Sequence, residues 1–398
     1  MPNTVTTRRP ADQADTDSEE LIARARELIP LLRERADEDE ARRSVNPDTI
    51  RRMKEAGLFR VLQSKRWGGS EAGQRTFAEI QIALAEGDMS VGWVYGVLGL
   101  HNLHVCLMDD RAARDVWGSD SSILISSPYM PGGIAKPVPG GFELSGRWAY
   151  SSGCDHCDWT FLGGTVEGAQ TDYRSFLLPR ADTRIVDAWH TTGLASTGSQ
   201  DIVVEKAFIP EYRTHSFLDG FRGTNPGRVV NDGPLYRMPF LLVFLRAITN
   251  PQIGALQALL DLFKTYAREK VFMGSRTAKD PDAQLAVAEA TAAIAEMKDT
   301  LFANFERMSD YASRNEMPPL PMRHMFRFQS ARVAERCIRL AEPLIQVSGG
   351  GGVYNKTQMG RIYRNRLTAR QYAAAQFRIY GRTYGDLLLG GAPEDILL

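Results

Sequence analysis

The chain reads as a mostly helical α+β protein in three consecutive parts: an N-terminal helical domain, a small central β-barrel and a C-terminal four-helix bundle. Three observations carry that expectation. Apolar residues recur at helical spacing through residues 18–118. Between residues 119 and 232 the apolar runs become short, alternating or β-branched, and Gly/Pro pairs punctuate them. From residue 233 to 398 long helical segments return, with short connections between them. Residues 1–17 are polar and lack an apolar core, so they are expected to form a disordered tail.

Each part has its own local logic. Leu21, Ala25, Leu28, Ile29 and Leu32 mark one amphipathic helix. Asn46 followed by Pro47 is a cap with proline at the first helical position, and Gly57 closes that helix. Phe77, Ile80, Ile82, Leu84 and Ala85 predict another helix ending at Gly87 and Asp88, and the apolar, small-residue run 91–108 predicts a buried one. The strand candidates lie at 123–125, 142–144, 159–161, 175–178 and 202–204, separated by turns such as Pro131-Gly-Gly and Pro139-Gly-Gly. Helices are expected near 250–274, 281–309, 319–347 and 356–385, broken at Lys279-Asp-Pro-Asp, Met317-Pro-Pro and Ser348-Gly-Gly-Gly-Gly.

Composition removes several function classes. Lys plus Arg and Asp plus Glu both number 48, which gives no electrostatic case for nucleic acid or an anionic membrane. No apolar run approaches the roughly 18 residues that span a bilayer. Four cysteines in a chain of 398 residues argue against a disulfide framework, and a cytoplasmic enzyme is the expectation. His101 and His104 stand three apart beside Cys106, but no carboxylate or second histidine motif completes a metal set, so no metal is expected. Cys154-Asp-His-Cys157 is a single C-x-x-C where a four-ligand site wants two, and is read as structural.

The chain from about residue 19 to 386 resembles the two-component flavin-dependent monooxygenases of the acyl-CoA dehydrogenase fold, which share the order helices, β-module, bundle. The likeness is to bacterial phenol hydroxylases, including actinobacterial 3-hydroxy-secosteroid hydroxylases, and to indole-oxidising relatives. It rests on Gly57-Leu-Phe with Trp67-Gly-Gly, Gly99-Leu-His-Asn-Leu-His, Ile125-Ser-Ser, Tyr150-Ser-Ser-Gly-Cys-Asp-His and Gly193-Leu-Ala-Ser-Thr-Gly-Ser.

The resemblance implies a homotetrameric oxygenase that takes FADH2 (FMNH2 being the alternative) from a separate NAD(P)H:flavin reductase. It adds O2 to form a C4a-hydroperoxide and hydroxylates a small aromatic or heteroaromatic compound. It places Ser151 beside flavin N5 and Ser126, 25 residues earlier, at the reaction face, with Ser127 and Ser152 next door as the alternative register. It puts Trp148 and Ser152 among the flavin contacts and gives His101 a proton-handling and substrate role. Trp93 and Tyr129 are expected to frame the substrate pocket. Arg268, Phe272, Gly349, Gly350 and Gly351 are expected to hold the cofactor's phosphate and adenosine end.

Two departures narrow the chemistry. Acyl-CoA dehydrogenases commonly carry a catalytic glutamate about nine residues after an Arg-Asp pair. Here, counting from Arg364-Asn365, that position is Ala373, and no carboxylate follows until Asp386. The phenol hydroxylases carry a His and an Asp on this helix; here the positions read Tyr372 and about Gln376. A substrate already nucleophilic without deprotonation, such as the indole ring oxidised in some natural-product pathways, needs no such base; the alternative is that Tyr372 serves instead as a substitute acid. The alternatives are an N-oxygenase of an amine or amino sugar, an acyl-CoA dehydrogenase, and a catalytically silent flavin-binding protein.

Overall fold

The computed structural model describes residues 10–272, 274–352 and 354–392. Six helices come first: α1 (Pro10–Glu27), α2 (Ile29–Arg42), α3 (Pro47–Glu55), α4 (Gly73–Gly87), α5 (Met89–Leu107) and α6 (Asp110–Trp117). The tail expected to be disordered through residue 17 is helical from Pro10 onward, and residues 1–9 lie outside the described residues. Asn46 caps α3 by accepting from the amide of Asp48, and Asp88 caps α5 by accepting from the amides of Ser90 and Val91. Every residue of α5 is buried, so this helix is the axle on which the other parts are mounted.

The strands follow: β1 (Ile125–Ser126), β2 (Pro131–Val138), β3 (Gly141–Ser151), β4 (Trp159–Val166), β5 (Ala169–Pro179), β6 (Arg184–Val186), β7 (Gln200–Pro210) and β8 (Thr214–Ser216). They form one sheet in the order β6-β7-β3-β2-β4-β5-β8, with β1 added parallel to β4. Alternation splits β4 between two cores. Phe161 packs into the helical core, whereas Leu162 joins Phe142, Trp148, Phe176 and Ile202 in a core that belongs to the sheet.

The expected closed barrel is not formed. The edge strands β6 and β8 pair only with β7 and β5. Each is three residues long, which leaves too few backbone groups to zip the edges together, and closure would also need a consistent stagger. The sheet is therefore open, in a mostly helical chain.

The C-terminal part holds a short α7 (Phe217–Arg222), then α8 (Phe240–Glu269), a two-stranded ribbon of β9 (Val271–Phe272) and β10 (Ser275–Arg276), α9 (Pro281–Ser313), α10 (Leu320–Ser348), α11 (Gln358–Ala369) and α12 (Phe377–Leu388). Two expectations are corrected here. The first long helix begins at Phe240, ten residues before position 250, and carries Pro251 in its interior. Proline has no N–H for the carbonyl four residues back, and Gln81 of α4 donates to that Ala247 carbonyl instead, at 2.6 Å. The fourth helix, expected over 356–385, is broken between Ala369 and Phe377. No proline or glycine marks the break, which occurs where Tyr372 takes an extended backbone (φ −63°, ψ 144°) and sets its ring edge-on to Trp93, centroids 5.6 Å apart.

Candidate active site

The middle of α5, the loop after β1, the end of β3 and the break after α11 converge on two adjoining chambers. The outer one, about 460 Å³, is lined mainly by apolar groups, among them Trp189, Leu194, Ala369 and Ala373. The inner one is a narrow recess of about 30 Å³ that reaches Val97, Ser127, Tyr129, Phe244 and Ile248. Trp93, Met130, Tyr150, Ser152 and Tyr372 line both and form the neck between them. No Asp, Glu, Lys, Arg or His lines either chamber among the described residues.

A backbone irregularity aims the serines. The register of β3 against β7 shifts between Trp148 and Ser151, and Tyr150 inside the shift has φ of +71°, a conformation a bulky side chain adopts only when its surroundings impose it. The bulge turns Tyr150 and Ser152 into the chambers and Ser151 away from them. Ser151 is fully buried, on the side of Cys154, and among the described residues its Oγ makes no hydrogen bond of normal geometry.

Ser152 sits in a directed chain. Thr197 donates to the Leu194 carbonyl (2.8 Å), so its oxygen accepts from Ser199 (2.6 Å), and Ser199 accepts from Ser152 (2.7 Å). The indole N–H of Trp93 donates to Ser152 at 3.1 Å. The Ser152 hydroxyl therefore has its proton engaged and one lone pair left.

The remaining sequence candidates fall in different places. Trp93, Tyr129, Ser152 and Tyr372 are brought together. Ser126 is not among the lining residues and donates to Thr160 at 3.1 Å, while its neighbour Ser127 lines the inner recess. Trp148 lies in the sheet core, its indole N–H on the Gly163 carbonyl at 2.6 Å. His101 stands behind Tyr129, ring centroids 5.6 Å apart, with Nδ1 on the Ile125 carbonyl at 2.6 Å and a buried Nε2 without a partner. Burial pushes its pKa down to about 4, so it is neutral near pH 7. Burial raises the Tyr372 phenol to about 12, with Tyr380 adding to the shift, so Tyr372 holds its proton.

The glycine turn lies elsewhere. Gly349 and Gly350, with Lys270, Arg276 and Lys279, line a groove of about 960 Å³ beside α9. Asp280, Asp282 and Glu289 line it too, and the Asp280 carboxylate is engaged in capping α9. Gly351 belongs to the same short turn (Gly349–Gly352). Arg268 is exposed and is not among the lining residues, and the side chain of Phe272 lies outside the described residues. Cys154 and Cys157 carry free, buried thiols.

Sequence reasoning missed four groups that the fold brings here or just behind it: Tyr150, Trp189, His215 and Asn225. Tyr150 heads the Tyr150-Ser-Ser-Gly motif, which does not say where its ring points, and Trp189, His215 and Asn225 are isolated residues that give no signal in one sequence.

Known proteins bear on this arrangement. Residues 247–377 match the family model described as acyl-CoA dehydrogenase, C-terminal domain. The chain is 36% identical over 352 residues to the flavin-dependent monooxygenase oxygenase subunit HsaA of Rhodococcus jostii strain RHA1, covering 87% of this chain and 92% of that protein. It is 33% identical over 387 residues to the HsaA subunit of Mycobacterium tuberculosis strain H37Rv, covering 96% and 98%. The crystal structure of 3-HSA hydroxylase from Rhodococcus sp. RHA1 superposes with a TM-score of 0.92 at 34% identity, covering 95% of this chain and 99% of that one.

Proposed function

Because the chain belongs to the oxygenase components of flavin-dependent monooxygenases, of acyl-CoA dehydrogenase-like fold, we propose that it hydroxylates an uncharged aromatic or heteroaromatic ring, of indole-like kind. The observation that carries this reading is the chamber lining, which holds aromatic and aliphatic groups and no charged side chain. A carboxylate or ammonium on the ligand would lose its hydration there without a counter-charge, at a cost of several kcal/mol. The lining thus speaks against an amine or amino-sugar substrate. Ala373 lines the outer chamber at the position counted for a dehydrogenase glutamate, which speaks against α-proton abstraction from an acyl-CoA.

The residues suit a reduced flavin. The outer chamber offers aromatic rings and an apolar wall to a flat ring system, within the size range of small-molecule pockets. Ser152 has a lone pair free, an acceptor for the N5–H that a reduced flavin carries and an oxidised one lacks. Lys270, Arg276 and the backbone of Gly349 and Gly350 would hold the phosphates of FAD in the groove beside α9; FMN would leave part of that groove free. When bound, reduced flavin supplies the two electrons that activate O2. The chain's own contribution is to flank the ring with Trp93 and Tyr372 beside the exposed Met130 and Tyr150, to orient it, and to hold protons on Tyr372 and Tyr129.

A separate NAD(P)H:flavin reductase would supply the reduced flavin. Exposed apolar side chains on the C-terminal helices, including Leu285, Ile379 and Leu388, support assembly of copies into a homotetramer. Free thiols at all four cysteines fit a reducing cytoplasm, and among the described residues no helix is long and apolar enough to cross a membrane.

The test is to load the protein anaerobically with reduced FAD, mix it with oxygenated buffer and indole or an uncharged phenol, and measure hydroxylated product against hydrogen peroxide. Hydroxylated product is expected. Peroxide alone from every neutral aromatic, with product from an amine, would overturn the reading.

A further inference from the structure

Behind the inner recess runs a buried polar chain, of which the proposed function uses only Tyr129. Tyr129 OH lies 2.6 Å from His104 Nδ1, His104 Nε2 lies 2.8 Å from His215 Nδ1, and His215 Nε2 lies 2.8 Å from Asn225 Oδ1. Four separate segments supply the links: the loop after β1, α5, β8 and the loop after α7. All four residues are at most 9% exposed. Phe161 and Phe240 flank the His104 ring, each with centroids 4.4 Å away, and Ser175 Oγ lies 3.3 Å from its Nε2.

The chain has one direction. An amide oxygen only accepts, so His215 carries its proton on Nε2 and presents a bare Nδ1. His104 must then donate from Nε2, which leaves Nδ1 bare to accept from Tyr129. The ring of Tyr129 is a wall of the recess, and its oxygen keeps lone pairs beyond the bond to His104. Among the described residues no carboxylate touches His104; burial holds its pKa well below the ordinary value, with His215 and His101 adding to the shift, so it rests neutral and open at Nδ1, while Asp219 acts on His215, and Tyr173 and Tyr372 act on Tyr129.

We propose that Tyr129 is the proton acceptor of the inner recess, with His104, His215 and Asn225 as the positioning residues that keep His104 Nδ1 open to receive the Tyr129 proton. The proposal rests on the hydroxylase reading. Once oxygen has been added to a ring carbon, that carbon's C–H bond breaks and its electron pair restores the aromatic ring. The proton goes to Tyr129 oxygen as the Tyr129 O–H proton passes to His104 Nδ1. The positive charge moves from the substrate ring to the imidazole, and nothing else is oxidised or reduced. The same path in reverse returns the proton when the second oxygen atom of O2 leaves as water.

Three measurements test it. In the flavin-free protein, 15N NMR of the histidines is expected to show His104 protonated on Nε2 and bare on Nδ1; a proton on Nδ1 at neutral pH overturns the proposal. Tyr129→Phe is expected to lower hydroxylated product per flavin oxidised by about 100-fold, with the aromatic ligand's Kd within about 3-fold of wild type. Asn225→Asp keeps the acceptor oxygen and adds a charge that favours the imidazolium. It is expected to move the acid limb of the pH–rate profile upward by about one unit, a change that a purely structural role would not produce. Wild-type coupling in Tyr129→Phe or an unmoved acid limb in Asn225→Asp overturns the proposal. If Tyr129→Phe does not fold, Tyr129→3-fluorotyrosine keeps the shape and is expected to move the basic limb down; an unmoved limb counts against it. Wild-type protein that yields only peroxide defeats the hydroxylase reading instead, and the NMR result still decides the direction of the chain.

Discussion

The indole N–H of Trp93 donates to the hydroxyl of Ser152 across 3.1 Å, and this one bond ties the buried helix α5 to the bulged end of β3 where both chambers meet. Ser152 passes its own proton to Ser199. Ser152→Ala strands the Trp93 donor and interrupts that chain, so stability is expected to fall by about 1–3 kcal/mol. Affinity for reduced flavin is expected to fall by about 10-fold, and for oxidised flavin by less, since only the reduced ring offers a proton at N5. Anaerobic and aerobic flavin titrations would show it; equal losses would mean Ser152 does not read the redox state.

Tyr372 presents its ring to Trp93 and keeps its phenol proton through the neutral range. Tyr372→Phe is expected to preserve aromatic-ligand affinity within about 3-fold while lowering product per flavin oxidised by about 10-fold or more. An unchanged product yield would remove Tyr372 as an acid.

Ala373 lines the outer chamber. Ala373→Glu would bring a carboxyl into an apolar space, and the affinity of a neutral aromatic is expected to drop by about 10-fold or more. A Kd within about 2-fold of wild type would mean that the substrate does not reach that wall.

Gln81 binds the Ala247 carbonyl that Pro251 leaves free, and its Nε2 also lies 3.1 Å from the Gly92 carbonyl. A Cβ on Gly96 would stand 1.8 Å from the Gln81 Nε2. Gln81→Leu and Gly96→Ala are each expected to destabilise by about 1–3 kcal/mol in chemical denaturation, through the orphaned carbonyl, and the double variant less than additively because both lose the same bond.

His101 is held neutral by burial, with a pKa of about 4 in the folded state against an ordinary 6.5. The unfolded chain therefore binds the extra proton first, so this group's contribution to stability is full above about pH 6.5 and is lost as pH falls towards 4, by about 3 kcal/mol. Asp39 acts oppositely: burial raises its carboxyl to about 6, so acidification relieves it. His101→Asn, which retains a donor for the Ile125 carbonyl, is expected to flatten the loss of stability between pH 6.5 and 4 relative to wild type. Parallel curves for the two proteins would place the proton elsewhere.

Local pattern made the succession of helices, strands and helices legible, because caps such as Asn46 and Asp88 and the apolar faces of α4 and α5 are written within a few residues of where they act. The absence of a carboxylate between Asn365 and Asp386, the segment that holds Tyr372, was legible for the same reason. Other features depended on contacts between distant residues. Pro251 would be unfavourable inside a helix were Gln81, 170 residues earlier, not in reach of the freed carbonyl. The break after α11 follows no breaker residue, and at it Tyr372 meets Trp93, 279 residues away in the chain. Strict alternation along β3 could not choose between Ser151 and Ser152; the bulge against β7 decided it. His104 and His215, 111 residues apart, become a pair only when β8 lies against β5 beside α5. The sequence alone thus determined which segments are helix or strand and that the site lacks a local base, since both depend on neighbours in the chain. The tertiary structure alone decided which side chains face the chambers and which proton donors meet, since packing brings those groups together from distant parts of the chain.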